Sequence, residues 1–262
     1  MIELTGVSKS FGDQLVLDEV DFDVRVGETV ALLGSSGVGK SVLLKHINGL
    51  LQPDSGEVVV DGMNVRHLPR KELAELRSRI GYVFQNGALF DSENVYENIK
   101  LGITDETCAA DENYCHDRVT QCLKLVNLAA DTASKYPAEL SGGMRKRVGI
   151  ARAIAGQPRY LLYDEPTSGL DPVNADIIDS LVGKLQEELG VTSIMVTHDV
   201  RGAFKVADRL ALLHEGRIIA MGTPNDFMTS KEEAVRQFLE RDFDMTRSWF
   251  ELESGDSGEN GH

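Results

Sequence analysis

Short apolar segments separated by turn residues make up the first third of the chain. Their pattern predicts strands at residues 2–4, 14–17, 21–24, 29–33 and 58–60. Residues 29–33 are apolar without interruption, which is typical of a strand buried on both faces of a sheet. Asp61 and Gly62 then indicate a hairpin turn. A polar helix near 70–79 and a strand at 80–84 are predicted to follow.

Helical periodicity replaces the strand pattern between residues 95 and 156. Apolar side chains recur at positions i, i+3, i+4 and i+7 in one stripe, which consists of Val119, Cys122, Leu123 and Val126. A second stripe consists of Met144, Val148, Ala151 and Ala155. Ser141 is the expected N-cap of this second helix, and Gly156 with Pro158 ends it. We therefore predict a helical insertion.

Strands and helices alternate again in the last part of the chain. Apolar runs at 160–163 and 192–196 predict buried strands, with a helix at 173–188 between them. Right-handed crossovers of this kind build a parallel sheet with helices on both faces. A hairpin at 209–220 and a helix with Thr223 as its N-cap follow. The fold class is therefore α/β.

The domain organisation follows from these elements. We predict one α/β domain over residues 1–240, with its helical subdomain at about 95–156. A C-terminal extension occupies 241–262, and its last residues, 254–262, are acidic, rich in Gly and Ser and predicted to be disordered. Because the extension contains the only Trp of the chain, next to a Phe, we expect residues 243–252 to dock on a second ATPase subunit and to stabilise the pair or a partner's site there. A tail folded back on its own domain is the alternative.

Composition and charge narrow the class of protein. The chain has 262 residues, 42% of them hydrophobic, and a net charge of −15. This charge opposes binding to nucleic acid or to anionic lipid surfaces. No segment approaches the roughly 18 consecutive apolar residues of a membrane span, and the first residues lack the pattern of a signal peptide. We expect a cytoplasmic protein that reaches a membrane through a partner and does not insert into it.

Three cysteines, Cys108, Cys115 and Cys122, are spaced seven residues apart. This spacing would bring them close to one face of a helix and fits neither a C-x-x-C metal pair nor an even set of disulfides. In a reducing cytosol, we expect all three to be free thiols that pack as small hydrophobic side chains.

A glycine-rich loop follows the predicted strand at 29–33. It has the pattern G-x-x-x-x-G-K-S and consists of Gly34, Ser35, Ser36, Gly37, Val38, Gly39, Lys40 and Ser41. Glycines let consecutive N–H groups point at phosphate oxygens, and the helix that follows adds a partial positive charge. Lys40 supplies a point charge for the β- and γ-phosphates, and the Ser41 hydroxyl is a ligand for Mg²⁺. The sequence therefore predicts a site for a nucleoside triphosphate.

Other polar groups come directly after predicted strands. Asp164 and Glu165 follow one strand, His198 follows another, and Gln85 follows a third. Open α/β sheets bind ligands at the carboxyl edge of their strands, where these groups should lie. We expect Asp164 to orient Mg²⁺ through water and Glu165 to polarise the attacking water. His198 is expected to donate to the γ-phosphate, and Gln85 to reach Mg²⁺ with its amide oxygen.

A second glycine-containing helix start lies in the helical insertion. It is formed by Ser141, Gly142 and Gly143, and such a helix N-terminus is a ready anion site. The first glycine-rich loop already provides a phosphate site for one triphosphate in each chain. The economical arrangement is therefore a head-to-tail homodimer, in which these residues close over the nucleotide of the other subunit.

Together these motifs resemble, in order and spacing, those of the ATP-binding-cassette (ABC) ATPases. The resemblance covers about residues 1–240 and rests on residues 34–41, 85, 140–144, 160–165, 168–171 and 198. It implies a P-loop cassette with an N-terminal antiparallel β subdomain, a mainly parallel sheet flanked by helices, and a helical insertion. It also implies hydrolysis of ATP with Mg²⁺.

The resemblance assigns further roles by position. Phe11 matches the aromatic residue that stacks on adenine, with Val16 beside it, and Asp171 matches the loop that crosses the dimer interface. Glu165 matches the general base and His198 the switch histidine. Met144 is a departure, because most members of the family carry Gln there.

Residues 36–42 and 85–92 look most like the ATPase subunit of Mla-type phospholipid transporters. The resemblance implies a place at the cytoplasmic face of a bacterial inner membrane. It also implies a permease helix in the groove at residues 85–90, an Mce-domain protein and a STAS-domain regulator as partners. An importer of a polar solute stays open as an alternative. A soluble ABC switch protein that acts on DNA or ribosomes is a third, and the charge of −15 disfavours it.

Overall fold

The computed structural model describes residues 1–103, 108 and 110–240. The extension predicted at 241–262, with its docking segment at 243–252 and its disordered end at 254–262, lies outside the described residues.

The described elements follow the predicted order closely. The strands are β1 (Ile2–Phe11), β2 (Gln14–Val24), β3 (Thr29–Leu33), β4 (Ser55–Val60), β5 (Met63–Asn64), β6 (Ile80–Val83), β7 (Tyr160–Asp164), β8 (Thr192–Thr197), β9 (Arg209–His214) and β10 (Arg217–Gly222). The helices are α1 (Lys40–Ile47), α2 (Arg70–Ser78), α3 (Val95–Lys100), α4 (Glu112–Leu125), α5 (Gly142–Ala155), α6 (Pro172–Leu189), α7 (Val200–Val206) and α8 (Pro224–Met228). Residues 233–240 are also helical.

Two sheets organise the described part of the chain. A four-stranded antiparallel sheet has the order β2-β1-β4-β5, and a six-stranded sheet has the order β10-β9-β3-β8-β7-β6. Within the larger sheet β9, β3, β8, β7 and β6 run parallel, and β10 pairs antiparallel with β9. Helices α3, α4 and α5 lie in the chain between β6 and β7. This arrangement confirms the predicted α/β architecture with its antiparallel subdomain.

The period of two along each strand divides the interior into two cores. In β3, Val30 and Leu32 face the core shared with α1 and the antiparallel sheet, whereas Ala31 and Leu33 face the core shared with α5 and α6. Every residue of β3 is buried. The uninterrupted apolar run predicted from the sequence is therefore a strand covered on both faces.

The prediction of separate strands at 14–17 and 21–24 was wrong, because β2 runs through Asp18 and Glu19. The polar pair interrupts the apolar pattern at an irregularity of the β1–β2 register, and Glu19 has a positive φ of 47°. Its N–H donates to the Ser8 hydroxyl at 3.0 Å, so the ladder continues through a bulge.

The prediction of three free cysteines was also wrong. Cys108 and Cys115 form a disulfide, and Cys122 is a buried free thiol. Seven residues along one helix would separate two Cα atoms by about 10 Å. The helix instead begins at Glu112 with Asp111 as its N-cap, which turns the chain and leaves the two Cα atoms 5.5 Å apart. That separation lies within the range of a disulfide.

Candidate nucleotide site

A cleft of about 740 Å³ lies where the predicted site residues converge. The loop after β3, Glu165 after β7 and His198 after β8 meet there, because the three strands are parallel neighbours and end at one edge. The cleft is lined by Phe11, Gln14, Val16, Ser36, Gly37, Gly39, Lys40, Ser41, Val42, Gln85, Glu165, Ser168 and His198.

The glycines of the loop permit close approach of the backbone. A Cβ on Gly34 would lie 2.5 Å from the Leu213 carbonyl oxygen, and one on Gly39 would lie 3.0 Å from the Val16 side chain. Gly39 also has a φ of 114° and is the N-cap of α1. A side chain at either position would push the loop away from the sheet, so the local fold requires glycine there.

Lys40 lies on the floor of the cleft, only 5% exposed. Its Nζ donates to the carbonyl oxygens of Gly34 at 2.7 Å and Ser35 at 3.1 Å. The Glu165 Oε1 atom lies 3.3 Å from the same nitrogen. The loop carbonyls and the carboxylate therefore hold the ammonium group between the phosphate loop and the candidate base.

The Asp164 carboxylate receives two hydroxyl hydrogen bonds. Ser41 Oγ donates to Oδ1 at 2.6 Å, and the Tyr82 hydroxyl donates to Oδ2 at 3.0 Å. Burial raises the pKa of the Tyr82 phenol, and the Asp164 charge adds to this effect, so the hydroxyl keeps its proton and donates.

The chemistry of these donors fits Mg²⁺. Ser41 and Gln85 line the cleft and Asp164 is hydrogen-bonded to Ser41, so the three side chains offer hard oxygen atoms there. Among the described residues, no group of three or more His, Cys, Asp or Glu side chains makes a separate metal cage. Mg²⁺ typically binds through one or two protein oxygens together with the phosphates of its nucleotide.

Glu165 is held in a strained conformation beside His198. Its φ is 51°, and its N–H donates to the Val196 carbonyl oxygen at 2.9 Å. A non-glycine residue in this region costs of order 1–3 kcal/mol, and such strain concentrates at functional sites. Glu165 Oε2 lies 2.6 Å from Nδ1 of His198, whose side chain is 61% exposed. The acid and the imidazole therefore form one unit that faces the cleft.

Ser168 connects this unit to two other segments. The Gln85 side-chain amide donates to the Ser168 hydroxyl at 3.1 Å, and the Lys146 ammonium donates to the Ser168 carbonyl oxygen. Burial lowers the pKa of Lys146, and the Glu165 charge opposes this shift. Lys146 belongs to α5, so the loop that carries Glu165 is tied to the helical insertion.

Phe11 and Val16 also line the cleft. The Phe11 ring is 47% exposed, and Lys9 Nζ lies 5.6 Å from its centroid. An exposed aromatic face beside a phosphate loop suits stacking on a planar base.

The residues around Ser141 lie outside the lining of the cleft. Ser141 caps α5 by accepting a hydrogen bond from Met144 N at 3.2 Å. A Cβ on Gly143 would lie 2.7 Å from Asn174 Oδ1, so the motif packs on the start of α6. Asp171 is the N-cap of α6, and hydrogen bonds from Asn174 lower the pKa of its carboxyl.

The structure therefore assembles one part of the predicted site and separates another. Phe11, Val16, Gln85, Glu165, His198 and five residues of the phosphate loop line one cleft. Gly34, Ser35 and Val38 belong to the same loop, and Asp164 is joined to it by its hydrogen bond with Ser41. Ser141, Gly142, Gly143 and Asp171 do not line this cleft. The sequence analysis assigned no site role to five contributors, namely Gln14, Val42, Tyr82, Lys146 and Ser168. Ser168 and Val42 lie in segments that carry the family resemblance, whereas Gln14, Tyr82 and Lys146 belong to no local motif.

Fold and site together define a P-loop protein that hydrolyses a nucleoside triphosphate. Residues 17–168 match the family described as ABC transporter, and the chain belongs to this family. It is an ABC ATPase, the subunit that hydrolyses ATP with Mg²⁺ for a transporter. In the part of the chain that the structure describes, no helix is long and apolar enough to span a bilayer.

Similar proteins are all named as ATP-binding proteins of transport systems, and their names give different transported substrates. The chain is 41% identical to a probable ribonucleotide transport ATP-binding protein, mkl, of Mycobacterium leprae, over 91% of this chain and 68% of that protein. It is 38% identical to the intermembrane phospholipid transport ATP-binding protein MlaF of Haemophilus influenzae, over 93% and 92%. It is also 38% identical to the methionine import ATP-binding protein MetN of Legionella pneumophila, over 91% and 69%.

A solved structure gives the same fold. The dimeric ATP-binding cassette MJ0796, bound to ADP and phosphate, superposes with a TM-score of 0.75 at 33% identity, over 86% of this chain and 99% of that one. The chain thus spans about two thirds of the mycobacterial and methionine-import relatives and nearly all of the phospholipid-transport relative.

Proposed function

We propose that the chain hydrolyses ATP in a site completed by a second copy of itself. In this assignment Phe11 and Val16 hold the adenine, and the loop from Gly34 to Ser41 holds the phosphates. Glu165 polarises the attacking water, and His198 donates to the γ-phosphate. The convergence of Lys40, Glu165 and His198 in the cleft carries this proposal.

Mg²⁺, when bound with ATP, neutralises charge on the β- and γ-phosphates. The residues proposed to hold it are Ser41 and Gln85 directly and Asp164 through water. The hydrogen bond from Ser41 to Asp164 supports this grouping, since it brings a hydroxyl and a carboxylate within 2.6 Å at the start of α1.

The second copy would supply the residues that this cleft lacks. Ser141, Gly142 and Gly143 form a capped helix start that does not line the cleft of its own chain. A two-fold, head-to-tail pair would bring this helix start over the nucleotide of the partner, with Asp171 at the interface. The solved cassette of similar fold is described as dimeric, which supports the arrangement.

The surface at residues 85–90, here called the coupling groove, is proposed to receive a permease helix. Arg152 holds its floor by donating to the carbonyl oxygens of Ala88 at 2.7 Å and Gly87 at 2.9 Å. A Cβ on Gly149 would lie 2.9 Å from the Gly87 Cα atom, so α5 packs closely beneath. Phe90 is 56% exposed. A small, firmly held backbone beside an exposed aromatic ring suits a helix-in-groove contact.

The proposed cargo is phospholipid, moved at a bacterial inner membrane by a Mla-type complex. The relative with the matching name aligns over nearly its whole length, which supports this cargo. In such a complex the chain would work at the cytoplasmic face with a permease, an Mce-domain protein and a STAS-domain regulator. Import of a polar solute is the second candidate, and similarity to the ribonucleotide and methionine transport proteins favours it.

Co-purification of the full chain from membranes tests both proposals. We expect a permease and an Mce-domain protein to be recovered, and the reconstituted complex to transfer fluorescent phospholipid in an ATP-dependent way. The change Phe90→Asp should release the permease, whereas Leu50→Asp, at a residue of similar exposure, should not. ATP-dependent uptake of methionine or a ribonucleotide, without phospholipid transfer, would replace the first cargo with the second.

A further inference from the structure

The Asp164 carboxylate is oriented by two hydroxyl groups from different parts of the chain. Ser41 Oγ donates to one oxygen at 2.6 Å, and the Tyr82 hydroxyl donates to the other at 3.0 Å. The terminal torsion of an aspartate is broad, so a single donor leaves the carboxylate plane free to turn. Two donors on different oxygens fix it.

The two donors differ in what else they do. Ser41 is a proposed ligand of Mg²⁺, and its hydroxyl therefore serves two partners. The Tyr82 hydroxyl has no proposed contact with the metal, and its hydrogen bond in the described structure is to Asp164. Groups of this second kind, which hold a ligand without touching the metal, typically account for 10- to 100-fold in metal affinity.

The place of Tyr82 in the fold adds a second reason. It lies on β6, the last strand of the six-stranded sheet, which pairs within that sheet only with β7 among the described strands. Its ring centroid lies 4.5 Å from that of Phe84, and Gln85 follows at once. Strand β6, which leads into the coupling groove, is thus hydrogen-bonded to the carboxylate that also accepts from Ser41 of the phosphate loop.

We propose that Tyr82 is a positioning residue of the Mg²⁺ site, whose hydroxyl holds the Asp164 carboxylate in the orientation that binds the metal's water. This inference rests on the role proposed above for Asp164. It assigns no chemistry to Tyr82 itself. Its consequence is that Mg²⁺ affinity depends on the edge strand and not only on the phosphate loop.

A Mg²⁺ titration with a non-hydrolysable fluorescent ATP analogue tests this on the full chain. We expect Tyr82→Phe to raise the half-saturating Mg²⁺ concentration by about 10-fold or more, and to leave nucleotide affinity in EDTA unchanged. The matched control is Tyr160→Phe. It also loses a Tyr–Asp hydrogen bond, to Asp61 outside the cleft, and should not move the Mg²⁺ curve.

A double-mutant cycle separates this inference from the role of Asp164. Asp164→Ala should raise the Mg²⁺ requirement, and adding Tyr82→Phe to it should change nothing further, because the hydroxyl acts through the carboxylate. If Tyr82→Phe gives the wild-type curve while Asp164→Ala shifts it, the inference about Tyr82 fails and the role of Asp164 stands. If Asp164→Ala gives the wild-type curve, that role fails, and the inference about Tyr82 fails with it. Additive effects of the two changes would also overturn it.

Discussion

The starts of α1 and α5 are two glycine-rich helix N-termini with the same predicted chemistry and different surroundings. At α1, Lys40 is only 5% exposed, and Glu165, His198 and Phe11 line the same cleft. At α5, Ser141 satisfies its own helix by capping Met144 N and is exposed. An anion site gains strength from other polar groups that face it, and among the described residues the cleft supplies such groups at α1 and not at α5.

The two helix starts therefore differ in their surroundings, because the α1 start lines the cleft and the α5 start does not. At the α5 start, Gly143 packs on Asn174 at the start of α6. None of the residues that line the cleft covers its other side. If a second copy covers the α5 start, changes at α1 and at α5 should have different effects on nucleotide binding and on turnover.

Glu165→Gln should have the largest effect, at the α1 site. It keeps the shape of the side chain but removes the base, so we expect kcat for ATP hydrolysis to fall by about 10²–10⁴ while nucleotide binding survives. Steady-state turnover and equilibrium nucleotide binding measure the two quantities. Glu215→Gln is the matched control, since Glu215 also has a positive φ, of 48°, but does not line the cleft. Near-normal turnover by Glu165→Gln would remove it from the role of base.

Changes at the two helix starts should separate binding from turnover. Lys40→Ala should weaken ATP binding to the isolated chain by about 10- to 100-fold, because a buried charged donor is lost. Ser141→Arg should leave that binding intact and lower turnover by about 10²–10³, as removal of a donor to developing charge does. A nucleotide titration and an ATPase assay on each variant measure this.

Disulfide crosslinking tests whether the two helix starts of different chains meet at one nucleotide. Cysteines placed at Ser36 and Ser141 should join two different chains when ATP is bound, and the wild-type chain with its native cysteines is the control. Crosslinks confined within single chains, seen by gel electrophoresis, would refute the head-to-tail pair.

A smaller effect is expected at Lys146, the buried charge behind the α5 start. Lys146→Gln removes the hydrogen bond that ties α5 to the Ser168 carbonyl oxygen, so the loop that carries Glu165 becomes less fixed. We expect kcat to fall by about 10-fold, with KM for ATP unchanged. Arg147→Gln is the control, because it removes a bond to the Asn127 carbonyl oxygen, which lies apart from the catalytic loop. A fall in both variants would indicate a general loss of helix stability instead.

The buried charge between α6 and α7 should affect stability rather than turnover. Asp179 is 3% exposed, and burial, with the Asp199 charge second, raises its pKa to about 7 from 3.8. Asp176 adds to the shift, while Lys205 and Arg201 oppose it. The folded chain therefore binds a proton more tightly than the unfolded chain. This makes the free energy of unfolding contributed by this group fall as pH rises from about 4 to 7.

Asp179→Asn removes the ionisable group and with it the loss of unfolding free energy between about pH 4 and pH 7. We expect a gain of about 1–4 kcal/mol in the free energy of unfolding at pH 8 and almost none at pH 4, measured by urea denaturation. Asp176→Asn, at a residue 49% exposed on the same helix, should show no such pH-dependent gain. If Asp179→Asn were as stable as the wild type at both pH values, the inference that burial raises the pKa of Asp179 would be wrong.

Local patterns in the sequence determined the elements and one half of the site. The continuous apolar runs of β3, β7 and β8 predicted buried parallel strands, because only a strand covered on both faces has no polar positions. Neighbouring parallel strands end at the same edge of a sheet, so the sequence alone predicts Glu165 and His198 near the phosphate loop. The loop itself is encoded by glycine spacing over eight residues.

Tertiary structure alone decided the contacts that join distant segments. Tyr82 and Asp164 are 82 residues apart, and Lys146 and Ser168 are 22 apart, with no periodicity that links either pair. The bend at Asp111 that joins Cys108 to Cys115, and the bulge that carries β2 through Glu19, also contradict the simple period. Periodicity reports which face of an element is buried, whereas the partner across that face is chosen by packing of the whole chain.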